Sequence, residues 1–211
     1  MNNMFVKTGD TTGAIVSDKN SNANVYDEIE VSNAEEFYNA FDNVRPSGTI
    51  KLKNDITLDK KYTISTDCVI DLNGYTLSSG TLDSVFTALK SNIKVTFKNG
   101  KIQANGKNGT LGSFVYVSSN WDAHYITFED VAVSSTAKTI NGFLSGSWAT
   151  SNYTLKNCSF DFTNSSNDGS TNLYVINVNQ GSGWSAANTV LNNVTFNYKT
   201  NRSPICLTGE A

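Results

Sequence analysis

The sequence predicts an all-β chain, a right-handed parallel β-helix (β-solenoid) of about five rungs with an N-terminal capping α-helix at about residues 33–44. Three observations predict it. Hydrophobic periodicity is helical once, near the N-terminus, and becomes two from Thr49 onward. A six-residue pattern with a turn former at its third position then recurs five times. The spacings between successive copies are 25, 31, 27 and 36 residues. That is about the chain one rung of three short strands consumes with its turns.

Residues 1–24 are polar and rich in turn formers, with apolar points at Met4, Phe5 and Val6 and at Ile15 and Val16. They read as an N-terminal attachment arm ahead of a β-helix domain over residues 25–211. Ser32 followed by Glu35 gives a capping box, with Val31 as the hydrophobic staple. Ala34, Phe37, Tyr38, Phe41 and Val44 share one helical face, and Pro46 and Gly48 are expected to stop the helix. Beyond it Ile50/Leu52, Ile56/Leu58, Tyr62/Ile64 and Ile70/Leu72 alternate with polar residues, separated by short turns.

The repeat reads Leu72-Asn73-Gly74-Tyr75-Thr76-Leu77, then Phe97-Lys98-Asn99-Gly100-Lys101-Ile102 and Phe128-Glu129-Asp130-Val131-Ala132-Val133. It closes with Leu155-Lys156-Asn157-Cys158-Ser159-Phe160 and Leu191-Asn192-Asn193-Val194-Thr195-Phe196. Gly, Asn and Asp tolerate positive φ, so the third position predicts a left-handed residue at one corner of every rung. Phe97, Ile102, Phe128, Val133, Leu155, Phe160, Leu191 and Phe196 are then expected to point inward. Trp121, Trp148 and Trp184 each sit seven residues before a copy, which predicts an aromatic column. The polar residues 164–172 read as a loop inserted into the last interval.

Composition narrows the function. Charged residues make up 17% of the chain against 38% hydrophobic, and 28 Asn fill much of the difference. Such a chain disfavours a helix-rich globule, and its recurring Phe, Tyr, Ile and Val disfavour disorder. A net charge of −3 with two Arg (Arg45, Arg202) points away from nucleic acid and anionic membrane. No stretch reaches transmembrane length, and the start lacks the apolar core of a signal peptide. Cys68, Cys158 and Cys206 are too few and too scattered for a disulfide framework or zinc site, so free buried thiols are expected. Asn-x-Ser/Thr triplets at Asn108, Asn157 and Asn193 are what chance gives in so Asn-rich a chain.

Catalytic constellations are sparse. Glycoside hydrolysis needs converging carboxylates, and lyase chemistry needs an acidic cation site with a strong base. Of the 19 acids only Asp161, Asp168 and Glu210 follow Asp130. Asp130 occupies the bend position, and its neighbour Glu129 shares a register with Asn73, Lys98, Lys156 and Asn192, a mixed stripe. The single histidine, His124, sits near Asp122 and reads as a polar loop residue. No metal cluster, phosphate loop or nucleophile elbow occurs. The sequence therefore predicts no enzyme, cofactor or metal. The candidate binding platform is Trp121, Trp148 and Trp184 with Asp122 and His124, for a surface glycan or a neighbouring subunit.

The run from Val31 through Thr49-Ile50-Lys51-Leu52 to Ile70-Asp71-Leu72-Asn73-Gly74-Tyr75-Thr76-Leu77 resembles the opening of pectate-lyase-like right-handed β-helices. That resemblance covers roughly residues 31–207. It implies the fold but not the activity, because the superfamily hosts lyases, hydrolases, adhesins and phage spikes. With its arm and acid-poor body, the chain is most similar to a phage head-fibre, capsid decoration or spike protein. The resemblance implies a homotrimer docked to a larger assembly through residues 1–24 at Met4, Phe5, Val6, Ile15 and Val16. The alternatives are a bacterial surface adhesin or carbohydrate-binding fragment and, third, a polysaccharide lyase or hydrolase.

Overall fold

The computed structural model describes residues 15–17, 24–88, 92–118, 123–147, 150–165, 172–179, 186–198 and 203–208. In chain order the elements are β1 (Ile15–Ser17), β2 (Asn24–Val31), α1 (Ala34–Asn43), β3 (Val44–Leu52), β4 (Ile56–Thr57), β5 (Tyr62–Ile64) and β6 (Cys68–Asp71). They continue with β7 (Thr76–Ser78), β8 (Ser84–Ala88), β9 (Lys94–Gln103), β10 (Thr110–Ser118) and β11 (Ala123–Ser134). Last come β12 (Thr139–Ser147), β13 (Thr150–Asp161), β14 (Ile176–Asn179), β15 (Ala186–Asn197) and β16 (Ile205–Thr208).

From β8 onward the chain visits two sheets in turn. One sheet runs β1-β2-β3-β6-β9-β11-β13-β15, with β4 and β7 beside it, and the other runs β16-β14-β12-β10-β8-β5. All these strand pairings are parallel except β1 with β2. Strands that return in parallel after crossing to a second sheet form the expected parallel β-helix. Each of β9, β11, β13 and β15 forms two sides of its coil, because β6 and β7 both pair with the single strand β9.

The bend between those two sides is the predicted left-handed residue. Asn99, Asp130, Asn157 and Asn193 have φ of 59, 55, 52 and 53°. Their side chains form a ladder along the axis: Asn193 Nδ2 donates to Asn157 Oδ1 at 3.0 Å, and Asn157 Nδ2 to Asp130 Oδ1 at 2.9 Å. Asn99 Nδ2 donates to Asp71 Oδ1 at 3.2 Å. Asp130, a carboxylate, has no proton to hand on toward Asn99, so the ladder breaks there.

One repeat is set differently from expectation. Leu77 pairs with Ile102, but Phe97 pairs with Ile70 and not with Leu72. The first corner therefore holds two extra residues, and both Asn73 (φ 50°) and Gly74 (φ 84°) are left-handed. Gly74 still lies against Asn99, donating its N–H to Asn99 O at 2.6 Å. The wide corner crowds the next coil, since a Cβ on Gly100 would lie 2.5 Å from Leu72 Cβ. Later coils have Val131, Cys158 or Val194 in that place, and only above the wide corner is a glycine required.

The core is a stack of equivalents. Phe97 and Phe128 stack at 4.7 Å, and Phe114 and Phe143 from the opposite sheet at 4.9 Å. The two columns meet edge-on, as between Phe97 and Phe114 at 5.9 Å, the arrangement aromatic quadrupoles favour. Ile102, Val133, Leu155 and Phe160 are fully buried as expected. Leu191 is not: 42% of it is exposed, because β15 is the last strand of its sheet and no described coil covers it. Phe196 is only partly buried for the same reason.

At the other end α1 closes the solenoid. Phe37, Tyr38 and Phe41 are buried, and Phe41 stacks on Tyr62 at 4.6 Å while Phe37 reaches Phe86 at 6.2 Å. The cap lies one residue later than Ser32/Glu35. Asn33 is extended, its side chain accepts from Glu36 N at 2.9 Å, and the Glu36 carboxylate accepts from Ser32 N at 2.8 Å. The helix ends at Asn43 without help from Pro46 or Gly48, because Val44 already has extended φ and ψ. Pro46 lies inside β3, where the pairing register with β2 shifts and its missing N–H costs no ladder bond.

Three outcomes are expected. Phe128→Ala should cost about 3–5 kcal/mol in urea unfolding, whereas Leu191→Ala, already half open to solvent, should cost under about 1 kcal/mol. Asn157→Val should lose more than about 1 kcal/mol from strain at positive φ, while Asp130→Asn, which supplies the missing donor, should gain about 1 kcal/mol. Burial, helped by Asp67, pushes the Cys68 thiol up to about 12, so mass spectrometry after iodoacetamide at neutral pH should find half-exposed Cys206 modified and Cys68 intact until the protein unfolds.

Candidate binding surface

Parallel stacking in register turns each outward position of a strand into a column along the solenoid, with steps of about 4.8 Å. One such column runs Glu30, Lys51, Asp71, Lys98, Glu129, Lys156 and Asn192. Its charge alternates at every coil until it ends on a neutral amide. Asp71 stands where the sequence reading had put Asn73, a consequence of the wide first corner, so the mixed stripe is in fact ordered. Within it Lys98 pairs with Asp71 at 3.6 Å and Lys156 with Glu129. Exposed pairs of this kind contribute at most about 1 kcal/mol each. Their larger effect is on register, because a slip by one coil would set like charges side by side.

Beside this column the bend makes a groove of about 510 Å³ on the outer surface. Its floor is the ladder Asn99, Asp130, Asn157 and Asn193, and its wall is the next outward column, Lys101, Ala132, Ser159 and Thr195. Ala132, Ser159 and Thr195 keep the groove open beyond Lys101, and the amides of Asn99, Asn157 and Asn193 with the hydroxyls of Ser159 and Thr195 offer donors and acceptors. Asp130 is the only carboxylate lining it. A second, smaller depression of about 270 Å³ lies on the other sheet. There Ser113 and Ser145 share a hydrogen bond at 2.5 Å, and Tyr116 bonds Ser147.

The residues expected to form the platform are placed otherwise or not described. Trp121, Asp122, Trp148 and Trp184 lie outside the described residues, as do Met4, Phe5 and Val6. The inserted loop also falls largely outside them, at residues 166–171. His124 is not a surface loop residue. It lies in β11, fully buried, in register with buried Ser151 of β13. Residues 123–127 alternate like any strand, and the inward side of that alternation falls on His124. Near it Tyr153 is also fully buried, and burial holds its phenol well above the ordinary range. Gly146 makes room for this polar interior, since a Cβ there would lie 2.5 Å from Ser151 Oγ and 3.2 Å from Tyr153 OH. Ile15 and Val16 belong to β1, whose backbone pairs with Val25 and Tyr26.

The groove itself was visible in the sequence only as the fifth position of the repeat, where Lys101, Ala132, Ser159 and Thr195 recur. Nothing in that list of residue types marks a site without the bend beside it. Among the described residues no group of three or more His, Cys, Asp or Glu could hold a metal ion. No described helix is long and apolar enough to cross a membrane.

Comparison with known proteins gives one family. The model of a pectate lyase-like adhesive domain matches residues 28–141, which run from β2 through the left-handed corners of β9 and β11 into β12. Neither the curated proteins nor the solved structures contain a match. With more than half of its length matched, and with the parallel coils that the match implies, the chain belongs to the family of pectate lyase-like adhesive domains.

Proposed function

We propose that the chain is a non-enzymatic adhesive module that holds an extended glycan along the corner groove. The observation that carries this reading is the groove's regularity. It crosses four coils and presents an amide or carboxylate from the bend at each step, beside Lys101, Ala132, Ser159 and Thr195 in turn. A step of about 4.8 Å is close to the rise of one sugar in an extended polysaccharide, so successive sugars would meet equivalent donors and acceptors. Catalysis is disfavoured by the same lining. Hydrolysis needs two carboxylates across the scissile bond, and the groove has Asp130 alone, while Glu129 is engaged by Lys156.

The family description supports an adhesive role, and a bacterial cell surface is the setting in keeping with it. A virion setting, as a head-fibre, decoration or spike component anchored by residues 1–24, is a second reading. It draws on β1, the described segment Ile15–Ser17 of the arm, which pairs with β2 at the helix-capped end of the solenoid. Recovery of the native chain with cell envelopes or with particles separates the two settings.

Binding to a panel of extended neutral and acidic polysaccharides, followed by calorimetry on the best ligand, tests the function. Ala132→Trp and Ser159→Arg, which fill the groove from outward positions, should weaken binding at least tenfold, or about 1.4 kcal/mol, with the melting temperature unchanged. Unaltered affinity in both variants would move the site elsewhere. Release of reducing ends or unsaturated products would make the chain an enzyme.

A further inference from the structure

The two ends of the solenoid are finished differently. At the N-terminal end α1 plugs the first coil with Phe37 and Phe41, and β1 runs antiparallel along β2. At the C-terminal end both sheets stop, among the described residues, on a strand paired on one side only, β15 in one and β16 in the other. β15 is twelve residues long and pairs on one side only, with β13. Among the described residues its other backbone edge has no partner strand. Leu155 is fully buried one coil below, but its equivalent Leu191 is 42% exposed, and outward Val190 is 57% exposed. These are two of the three large hydrophobic side chains exposed among the described residues.

Charge divides the ends in the same way. The N-terminal end carries Asp27, Glu28, Glu30, Glu35 and Glu36. From Ala186 to Tyr198 and from Ser203 to Thr208 there is no ionisable acid or base apart from the Tyr198 phenol and the Cys206 thiol. The alternating column also stops on Asn192. Proteins usually guard a long edge strand with lysine, proline within the strand, or a bulge, and β15 has none of these. An uncharged, partly apolar edge, unbent from 186 to 192, is a template for another strand.

We infer that the occupant is a second copy of this chain, joined open end to open end about a two-fold axis through β15. Head-to-tail stacking would need an open N-terminal end, and α1 with β1 closes it. A two-fold axis sets this end against its own copy, so an end of one charge sign would repel itself, and the described residues of β15 and β16 carry no charge. Antiparallel pairing of the stretch 186–192 with its copy keeps inward positions facing inward on both sides. Leu191 would gain the cover that its equivalents in earlier coils receive from the next coil. The two capped ends, each with its β1, would then point away from each other.

Sedimentation equilibrium and light scattering on the full chain, without any glycan, test this pairing separately from glycan binding. The parent should have twice the chain mass, and Val190→Lys should return to the single-chain mass with its melt and circular dichroism retained. Leu191→Lys should do the same; should it fail to fold, Val190→Lys, an outward position, decides alone. A parent that stays monomeric at every concentration, a three-fold assembly, or a dimer that survives Val190→Lys would each overturn the inference. A monomeric parent would leave the edge to a different strand, from a longer chain or another protein.

Discussion

Every feature of this molecule depends on one constraint, that each coil must lie on the last in register at the inter-strand spacing. In a parallel sheet the neighbour of a residue is its counterpart one coil away. A side chain is therefore selected against its own repeat, and the structure resolves into columns. Phenylalanines stack on phenylalanines, amides donate to amides, and charges alternate because identical ones would face each other. The left-handed bend sets this register. It fixes where each long strand turns, and so which residues of two coils can meet.

Much of the fold was legible because the bend has a strict chemical requirement. Few residue types tolerate positive φ, so Asn99, Asp130, Asn157 and Asn193 marked the corners in the bare sequence, and flanking apolar residues followed. The failures have physical causes as well. The first corner contains two left-handed residues, and aligning it on Gly74 put Leu72 where Ile70 belongs. That slip concealed Asp71 and with it the alternation of charge. Asn33 and Ser32 are comparable helix caps, and only backbone conformation chose between them. His124 has a polar side chain in an inward position, which composition could not distinguish from a loop. Leu191 obeys the repeat but has no described coil above it, and a repeat pattern gives the inward face without saying what covers it.

The candidate site was less legible than the fold, because it consists of small residues. A groove is made by what its wall lacks, and Ala132 and Ser159 are unremarkable until the bend beside them makes their side of the surface concave. The polar platform sought in the sequence was judged by residue type, through aromatic and titratable side chains. The surface that emerges is judged by repetition, with modest hydrogen-bonding groups presented many times at equal steps. Such a surface suits a polymer better than a small molecule, since affinity accumulates along the axis while no single contact dominates.

The stacked coils also bear on how the molecule carries load. In a solenoid each coil is held by its neighbours alone, so cohesion is a sum of interfaces in series. The helix-capped coil is braced by aromatic packing on its inner face, whereas among the described residues β15 has one interface and a partly uncovered interior. Tension applied at that end would open its hydrogen bonds one after another, like a zip, and the coil would detach before the next was disturbed. Tension across the strands would instead load many bonds of one interface together. A tether drawn from a single copy is therefore stiff in one direction and extensible in the other, yielding from the end where no described coil covers Leu191.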